Sequence, residues 1–270
     1  MLQLYTARNS ICTQKVFITL AEKKLDWDQK IVDLFKNEQY NPEYLKLNPK
    51  GVVPTLVHEG AAIVESTLIC EYLDESFPEP ALRPTTPAGR ARMRLWSKAI
   101  DEGIFEATRE MSFSAMFRER MKNMTEEQRQ TRFRNVGDPE RRARYVSTYE
   151  EGVESVYVYQ GIAAYEKMFK AMESELAHGE QWLCGDRFTL GDINLMPFVA
   201  RMEYLDLLDV WTEKRPATLD WWSRAKARPS FVEAIAGKLT TDEIAAMKTH
   251  GSKIRDRIAE RRAEYLAQFS

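Results

Sequence analysis

Cysteine and histidine are scarce in this chain of 270 residues, with three of each. Cys12, Cys70 and Cys184 form no Cys-x-x-Cys pair and are too few for a disulfide framework, which points to a reducing, cytosolic setting. His58, His178 and His250 lie far apart and outline no metal-ligand spacing, so no metal is expected. An excess of one charge is missing too. Lys plus Arg number 39 against 41 Asp plus Glu, a formal net charge of −2. Such balance argues against an overall electrostatic footprint for nucleic acid, although it leaves room for a local basic patch. No apolar run approaches the roughly 20 residues that span a bilayer, so no membrane partner is expected. Residues 1–8 hold no basic stretch leading into an apolar one, and no secretory signal is expected. There is no fixed-period repeat. What remains is an ordinary globular composition, 44% hydrophobic and 30% charged, long enough for one large domain or two smaller ones.

The pattern changes near residue 80. Residues 2–5 read as a strand. Residues 11–24 read as a helix with apolar Val16, Ile18, Leu20 and Ala21, and with charge at Lys15, Glu22, Lys23 and Lys24. Residues 27–32 form a second strand. Asn41 as N-cap, with Pro42 at the first helical position, opens a short helix. Residues 53–57 and 61–64 flank His58-Glu59-Gly60 as a hairpin. Helical spacing returns over 65–77 until Pro78 and Pro80 stop it. The order β-α-β-α-β-β-α implies a mixed sheet, because a βαβ unit is parallel and a hairpin antiparallel. Pro78, Pro80, Pro84 and Pro87 mark a linker. Beyond it come a long amphipathic helix over 91–117, a broken Arg/Glu-rich stretch over 118–144, a second long helix over 145–177 and a charged helical tail over 239–270. Ten basic and six acidic residues occupy 109–144, and mixed signs favour a solvated face over a binding patch. The expected organisation is an α/β domain over 1–80, a linker over 81–88 and an all-helical domain over 89–270.

Three places carry groups suited to chemistry. Arg8-Asn9-Ser10-Ile11-Cys12-Thr13 joins the first strand to the first helix. Asn9 or Ser10 can cap that helix, or a hydroxyl there can donate to an anion drawn to the positive helix end. Cys12 is a nucleophile candidate, but one or two residues inside the helix its ordinary use is packing. Asn48-Pro49-Lys50-Gly51-Val52-Val53-Pro54 leads into the third strand, with Pro54 where it costs no central ladder bond. A cis Val53–Pro54 bond would turn the Val53 backbone outward as an edge for an extended peptide; the alternative is an ordinary trans turn. Val64-Glu65-Ser66-Thr67 starts a helix. There Glu65 and Ser66 either cap the helix or, with free N–H groups, hold a small carboxylate.

Together with Phe188-Thr189-Leu190-Gly191-Asp192-Ile193, these segments resemble the Ser-type cytosolic glutathione transferases over about residues 1–235. Thr189 and Asp192 match that family's capping box. A narrower resemblance points to the bacterial glutathione-dependent β-aryl etherases and related fungal and bacterial transferases. It rests on Glu38-Gln39, Asn48-Pro49-Lys50-Gly51, the run from Glu65 through Leu73, Phe77-Pro78-Glu79, Leu82-Arg83-Pro84, and the run from Arg90 through Lys98 with Asp101-Glu102.

The resemblance implies a thioredoxin-like N-terminal domain, followed by an all-α domain that contributes the electrophile pocket. It implies a cytoplasmic homodimer with glutathione as co-substrate. Ser10 would hydrogen-bond the glutathione sulfur, with Asn9 as a second donor or orienter. Val53, preceding Pro54, would pair through its backbone with the cysteinyl unit. Glu65 would hold the γ-glutamyl ammonium and Ser66 its carboxylate, while Gln39 and Lys50 would lie towards the glycyl carboxylate. The electrophile would be hydrophobic and aromatic, an α-keto β-aryl ether that loses phenoxide to the thiolate. A different electrophile, such as an organohalide or peroxide, is the enzymatic alternative. A non-catalytic ligand-binding or protein-interaction member of the same fold is the alternative of another class. Phe105, Met111, Phe113, Met116, Tyr145 and Tyr149 are pocket candidates, although such stripes more often mean core.

Overall fold

Strand β1 (Leu2–Thr6) lies at the centre of the only sheet among the described residues, 1–7 and 9–269 of a computed structural model. Its side chains alternate: Leu2, Leu4 and Thr6 are buried while Gln3 and Tyr5 are half-buried, the period of two that a strand imposes. On one side β2 (Trp27–Ile31) runs parallel, and on the other β3 (Thr55–His58) runs antiparallel and pairs on to β4 (Ala61–Val64). The order is β2-β1-β3-β4, the expected mixed sheet. Helices α1 (Ile11–Lys23), α2 (Pro42–Leu47) and α3 (Ser66–Ser76) complete the thioredoxin-like arrangement.

Among the described residues the later elements are helical, apart from an isolated bridge between Trp182 and Gly185. The helices are α4 (Pro87–Ala99), α5 (Phe105–Ser112), α6 (Arg118–Lys122), α7 (Glu126–Asn135), α8 (Pro139–Glu151), α9 (Val156–Leu176), α10 (Leu190–Tyr204), α11 (Asp209–Thr212), α12 (Pro216–Lys226), α13 (Pro229–Ala234) and α14 (Thr241–Ala267). The chain packs as two units. Unit 1 takes in Met1–Ser97, Gly179–Pro197 and Trp221–Thr240; unit 2 takes in Lys98–His178, Phe198–Asp220 and the chain from Thr241 onward. Packing therefore assigns two later segments to the first unit, where the sequence boundaries divide the chain only along its length.

Those later segments are tied into unit 1 by buried and half-buried polar groups. Asp192 is fully buried and accepts from the N–H of Leu183 (3.0 Å), the N–H and Oγ1 of Thr189 (3.0 and 3.2 Å) and Nε1 of Trp221 (2.9 Å). Thr189 Oγ1 accepts in turn from the Gly191 N–H at 3.2 Å, so the capping box closes at the start of α10. Burial raises the Asp192 carboxyl above its ordinary range although its donors pull the other way. On α1, Glu22 accepts from Arg228 at 2.7 and 2.8 Å and from the Ser230 hydroxyl, which fixes α13 to that helix. Lys15 and Lys23, read from sequence as charged positions of an amphipathic helix, are both buried. Lys23 is matched by Asp74 and by the carbonyls of Phe77 and Pro80, each at 2.7 Å.

Unit 2 departs from the expected long helices. The segment 145–177 is divided between α8 and α9, because Gly152 takes φ 61 and ends α8, and Ser155 then caps α9 by accepting from the Tyr157 N–H at 3.2 Å. The segment 91–117 is interrupted by π-helical turns at Ile100–Ile104 and Phe113–Phe117 on either side of α5. Within the tail over 239–270, α14 is anchored by Arg257 on Glu154 (2.7 Å) and Arg262 on Glu166 (2.7 Å). Glu110 of α5 is 2% exposed and pairs with Arg144 at 2.9 Å, yet burial pushes its carboxyl up to about 7.

Two stability measurements follow from these buried carboxylates. Asp192→Ala strands several buried donors and should cost about 3–5 kcal/mol of unfolding free energy in urea titrations. Glu110 holds in the folded state a proton that the unfolded chain has released between about pH 4.5 and 7. Stability should therefore fall as pH rises through that window, by roughly 3 kcal/mol from this group, and Glu110→Gln should flatten the slope.

Candidate functional site

The loop after β1, the loop before β3 and the start of α3 meet within unit 1. Ala7 and Val53 share a buried cluster with Val32 and Tyr44. Lys50 Nζ pairs with Glu65 Oε1 at 2.6 Å, which joins the loop before β3 to the start of α3. Gly51 sits at φ +58, and a Cβ there would stand 3.0 Å from the Tyr40 ring and 3.2 Å from the Gln39 carbonyl. That close approach brings Gln39 to the same place. The structure thus gathers Ser10, Gln39, Lys50, Val53, Pro54, Glu65 and Ser66 into one region. Asn9 adjoins Ser10 in a turn, and Arg8 lies outside the described residues.

Ser10 is the N-cap of α1: at φ −82 and ψ 118, its Oγ accepts from the Thr13 N–H at 3.3 Å. Capping and donating are compatible roles, because the cap uses the oxygen's lone pair. The hydroxyl proton has no acceptor among the described residues. Cys12 lies partly buried in the first turn of the same helix.

The loop before β3 is held from beneath. Tyr44 Oη donates to the Val52 carbonyl at 2.6 Å and lies 3.0 Å from Thr55 Oγ1, while Asn48 Nδ2 donates to the same two groups at 2.9 and 3.1 Å. The Val53–Pro54 bond is cis. Val52 spends its carbonyl on these bonds, whereas the N–H and C=O of Val53 have no partner among the described residues. Gln39 is 8% exposed and its Oε1 is likewise unpaired. A buried amide oxygen and a free peptide edge are groups that a bound peptide can satisfy.

At α3 the capping alternative is not what the chain adopts. Glu65 occupies the N-cap at φ 69 and makes no side-chain cap hydrogen bond, so the first N–H groups are left open. A non-glycine residue at positive φ is strained. The Lys50–Glu65 pair is exposed on both sides, and such pairs contribute only about 0–1 kcal/mol. Ligand charges can displace it at little cost. Ser66 is buried to 9% exposure, and its Oγ accepts from Lys15 Nζ at 3.1 Å. Sequence reasoning passed over Lys15 in this role. Its signal was there: it is the only charge in the otherwise uncharged run from Thr13 to Leu20.

The aromatic stripe in the second half is core within unit 2. Met111 and Phe113 are buried, Phe113 meets the Tyr145 ring at 5.6 Å, and Tyr149 meets Phe133 at 5.9 Å. Phe105 is 37% exposed. Among the described residues no helix is long and apolar enough to cross a membrane.

The family model of the glutathione S-transferase N-terminal domain matches residues 4–81, and that of the C-terminal domain matches residues 128–224. Protein LigF of Sphingobium sp. is 29% identical over 244 residues, which cover 86% of this chain and 92% of that protein. The crystal structure of the beta-etherase LigF from Sphingobium sp. superposes with a TM-score of 0.76 at 28% identity, over 87% of this chain and 99% of that one. Maleylacetoacetate isomerase of Pseudomonas aeruginosa is 31% identical over 239 residues, 86% of this chain and 95% of that protein.

The cap at Ser10 has its own expected signature. Ser10→Ala should lower stability by about 1 kcal/mol in urea, and Ser10→Asp, which caps equally well, should restore it.

Proposed function

The chain belongs to the glutathione S-transferase family, and on that premise we propose that it transfers the glutathione sulfur to an α-keto β-aryl ether and releases a phenol. The observation that carries the glutathione half is the unpaired Val53 peptide edge beside the uncapped N-terminus of α3. Val53 takes the cysteinyl unit through its backbone, and the cis bond to Pro54 follows it directly. Ser66 and the open N–H groups of α3 receive the γ-glutamyl carboxylate, and Glu65 receives its ammonium. Lys50 turns to the glycyl carboxylate. Gln39 lies beside it, its unpaired oxygen satisfied by a ligand N–H.

Ser10 supplies the activation. A thiol with a pKa near ~8.5 is only about 3% thiolate at pH 7. Lowering that value by about 2 units takes about 2.7 kcal/mol of preferential anion stabilisation. One hydroxyl donor to an anion supplies about 1.5–3 kcal/mol, and the positive end of α1 adds up to about 1. The free proton of Ser10 and the α1 N-terminus therefore suffice in magnitude, with Asn9 as a further donor or orienter. The thiolate attacks the carbon that bears the aryloxy group and stands next to the ketone. A C–S bond forms, the C–O bond breaks, and the phenoxide leaves with the electron pair and takes a proton from water.

The ether as substrate is supported by likeness to the Sphingobium protein over most of both chains. A second reading, a glutathione-dependent isomerisation, is supported by the similar extent of likeness to the Pseudomonas enzyme. An isomerisation consumes no glutathione and releases no phenol. A cytosolic homodimer belongs to the same proposal. Leu68 of α3 and Leu95 of α4 are 57% and 65% exposed, which leaves apolar surface for a second copy to cover. Sedimentation at the mass of one chain would remove that part.

The deciding assay follows release of a fluorescent phenol from a racemic α-keto β-aryl ether, with and without glutathione. Release that requires glutathione and halts near half of the substrate is expected. Ser10→Ala should lower kcat by about 100-fold, the equivalent of about 2.7 kcal/mol, while glutathione binding changes far less. Ser10→Asp should not recover activity, and Cys12→Ser should leave it near wild type. Retention on a glutathione column without phenol release would discard the ether and leave the isomerisation or another electrophile. Activity lost in Cys12→Ser but kept in Ser10→Ala would overturn the assignment of Ser10.

A further inference from the structure

Lys15 is 1% exposed, and its Nζ donates to Thr67 Oγ1 at 2.6 Å and to Ser66 Oγ at 3.1 Å. No carboxylate of the described residues lies within ion-pair distance of it. The Cys70 thiol, which feels the Lys15 charge, is pushed up to about 11 by burial and stays neutral at pH 7, so it supplies no counter-charge. Lys23, on the same helix, shows what a completed site looks like: it holds Asp74 and two carbonyls. An ammonium taken out of water is costly unless it is paired, and hydroxyl acceptors offset only part of that cost. The two hydroxyls that Lys15 holds stand on the first two residues of α3, the helix whose N-cap provides no side-chain bond.

We propose that Lys15 is a positioning residue for the carboxylate bound at the start of α3. An ammonium can only donate, so Ser66 Oγ must accept from it. The Ser66 proton is thereby turned away from Lys15 and towards the ligand. The bound carboxylate becomes the counter-ion that the folded chain lacks around Lys15. The inference rests on the glutathione reading above, and the ligand group concerned is the γ-glutamyl carboxylate.

The test is calorimetric binding of glutathione and of an analogue whose γ-glutamyl carboxylate is replaced by hydrogen, to the full-length chain. Wild type should prefer glutathione. Lys15→Met should weaken glutathione binding at least ten-fold and leave the analogue unchanged, so that the preference collapses. Lys15→Arg should recover part of it. A role in folding alone would weaken both ligands alike, and that result, or an undiminished preference, would overturn the proposal. Should Lys15→Met fail to fold, Thr67→Val removes the 2.6 Å anchor and keeps the charge. It should lower glutathione affinity a few-fold and spare the analogue; equal loss, or none, would again overturn the role of Lys15. Wild-type protein that binds neither ligand, or binds both equally, would instead bring down the carboxylate site itself.

Discussion

The pairing of β1 on both of its edges is the constraint from which the site follows. β1 is held parallel to β2 and antiparallel to β3, with Leu2, Leu4 and Thr6 buried. A slip of one residue would put those side chains on the wrong face, so the register is firmly set. The register pairs Tyr5 with Thr55 and so lays the end of β1 beside the start of β3. The loop that carries Ser10 and the loop that carries Val53 are therefore neighbours before any ligand arrives. β4 then returns the chain to Glu65 and α3.

Buried and half-buried charge does much of the positioning in unit 1. Asp192 gathers the Trp182–Gly185 bridge region, the start of α10 and Trp221 around one carboxylate. Glu22 fixes α13 to α1, and Asp74 with Lys23 secures the end of α3. Each of these carboxylates has a donor or an opposite charge within the chain. Lys15 differs in having hydroxyls alone, and the unsatisfied Gln39 oxygen and Val53 peptide lie in the same region. An unpaired buried amide oxygen and an open peptide edge in one region are groups that a polar ligand can satisfy.

The two readings of the reaction share this half of the chemistry. Transfer to an aryl ether and isomerisation both begin from a positioned thiolate, and they differ in the electrophile. Family membership covers the shared part, because glutathione is the co-substrate of that family. At 29% and 31% identity the two relatives support the two readings to a similar extent.

By itself, the sequence determined the strand and helix order of the first 77 residues, the mixed sheet and the capping box at Thr189 and Asp192. Each of these rests on local chemistry: a period of two or 3.6, a proline, a cap, a motif read within a few residues. Where local signals were weaker the boundaries slipped. One expected helix over 145–177 is two, because a single glycine at positive φ outweighs the helical pattern on either side of it. Only the tertiary structure decided that Ser10 caps and keeps its proton, that α3 begins without a cap, and that Lys15 and Lys23 are buried. The burial of the two lysines depends on partners more than 50 residues away, Ser66 for Lys15 and Phe77 for Lys23. A lysine reads as a surface charge until folding shows what its ammonium faces.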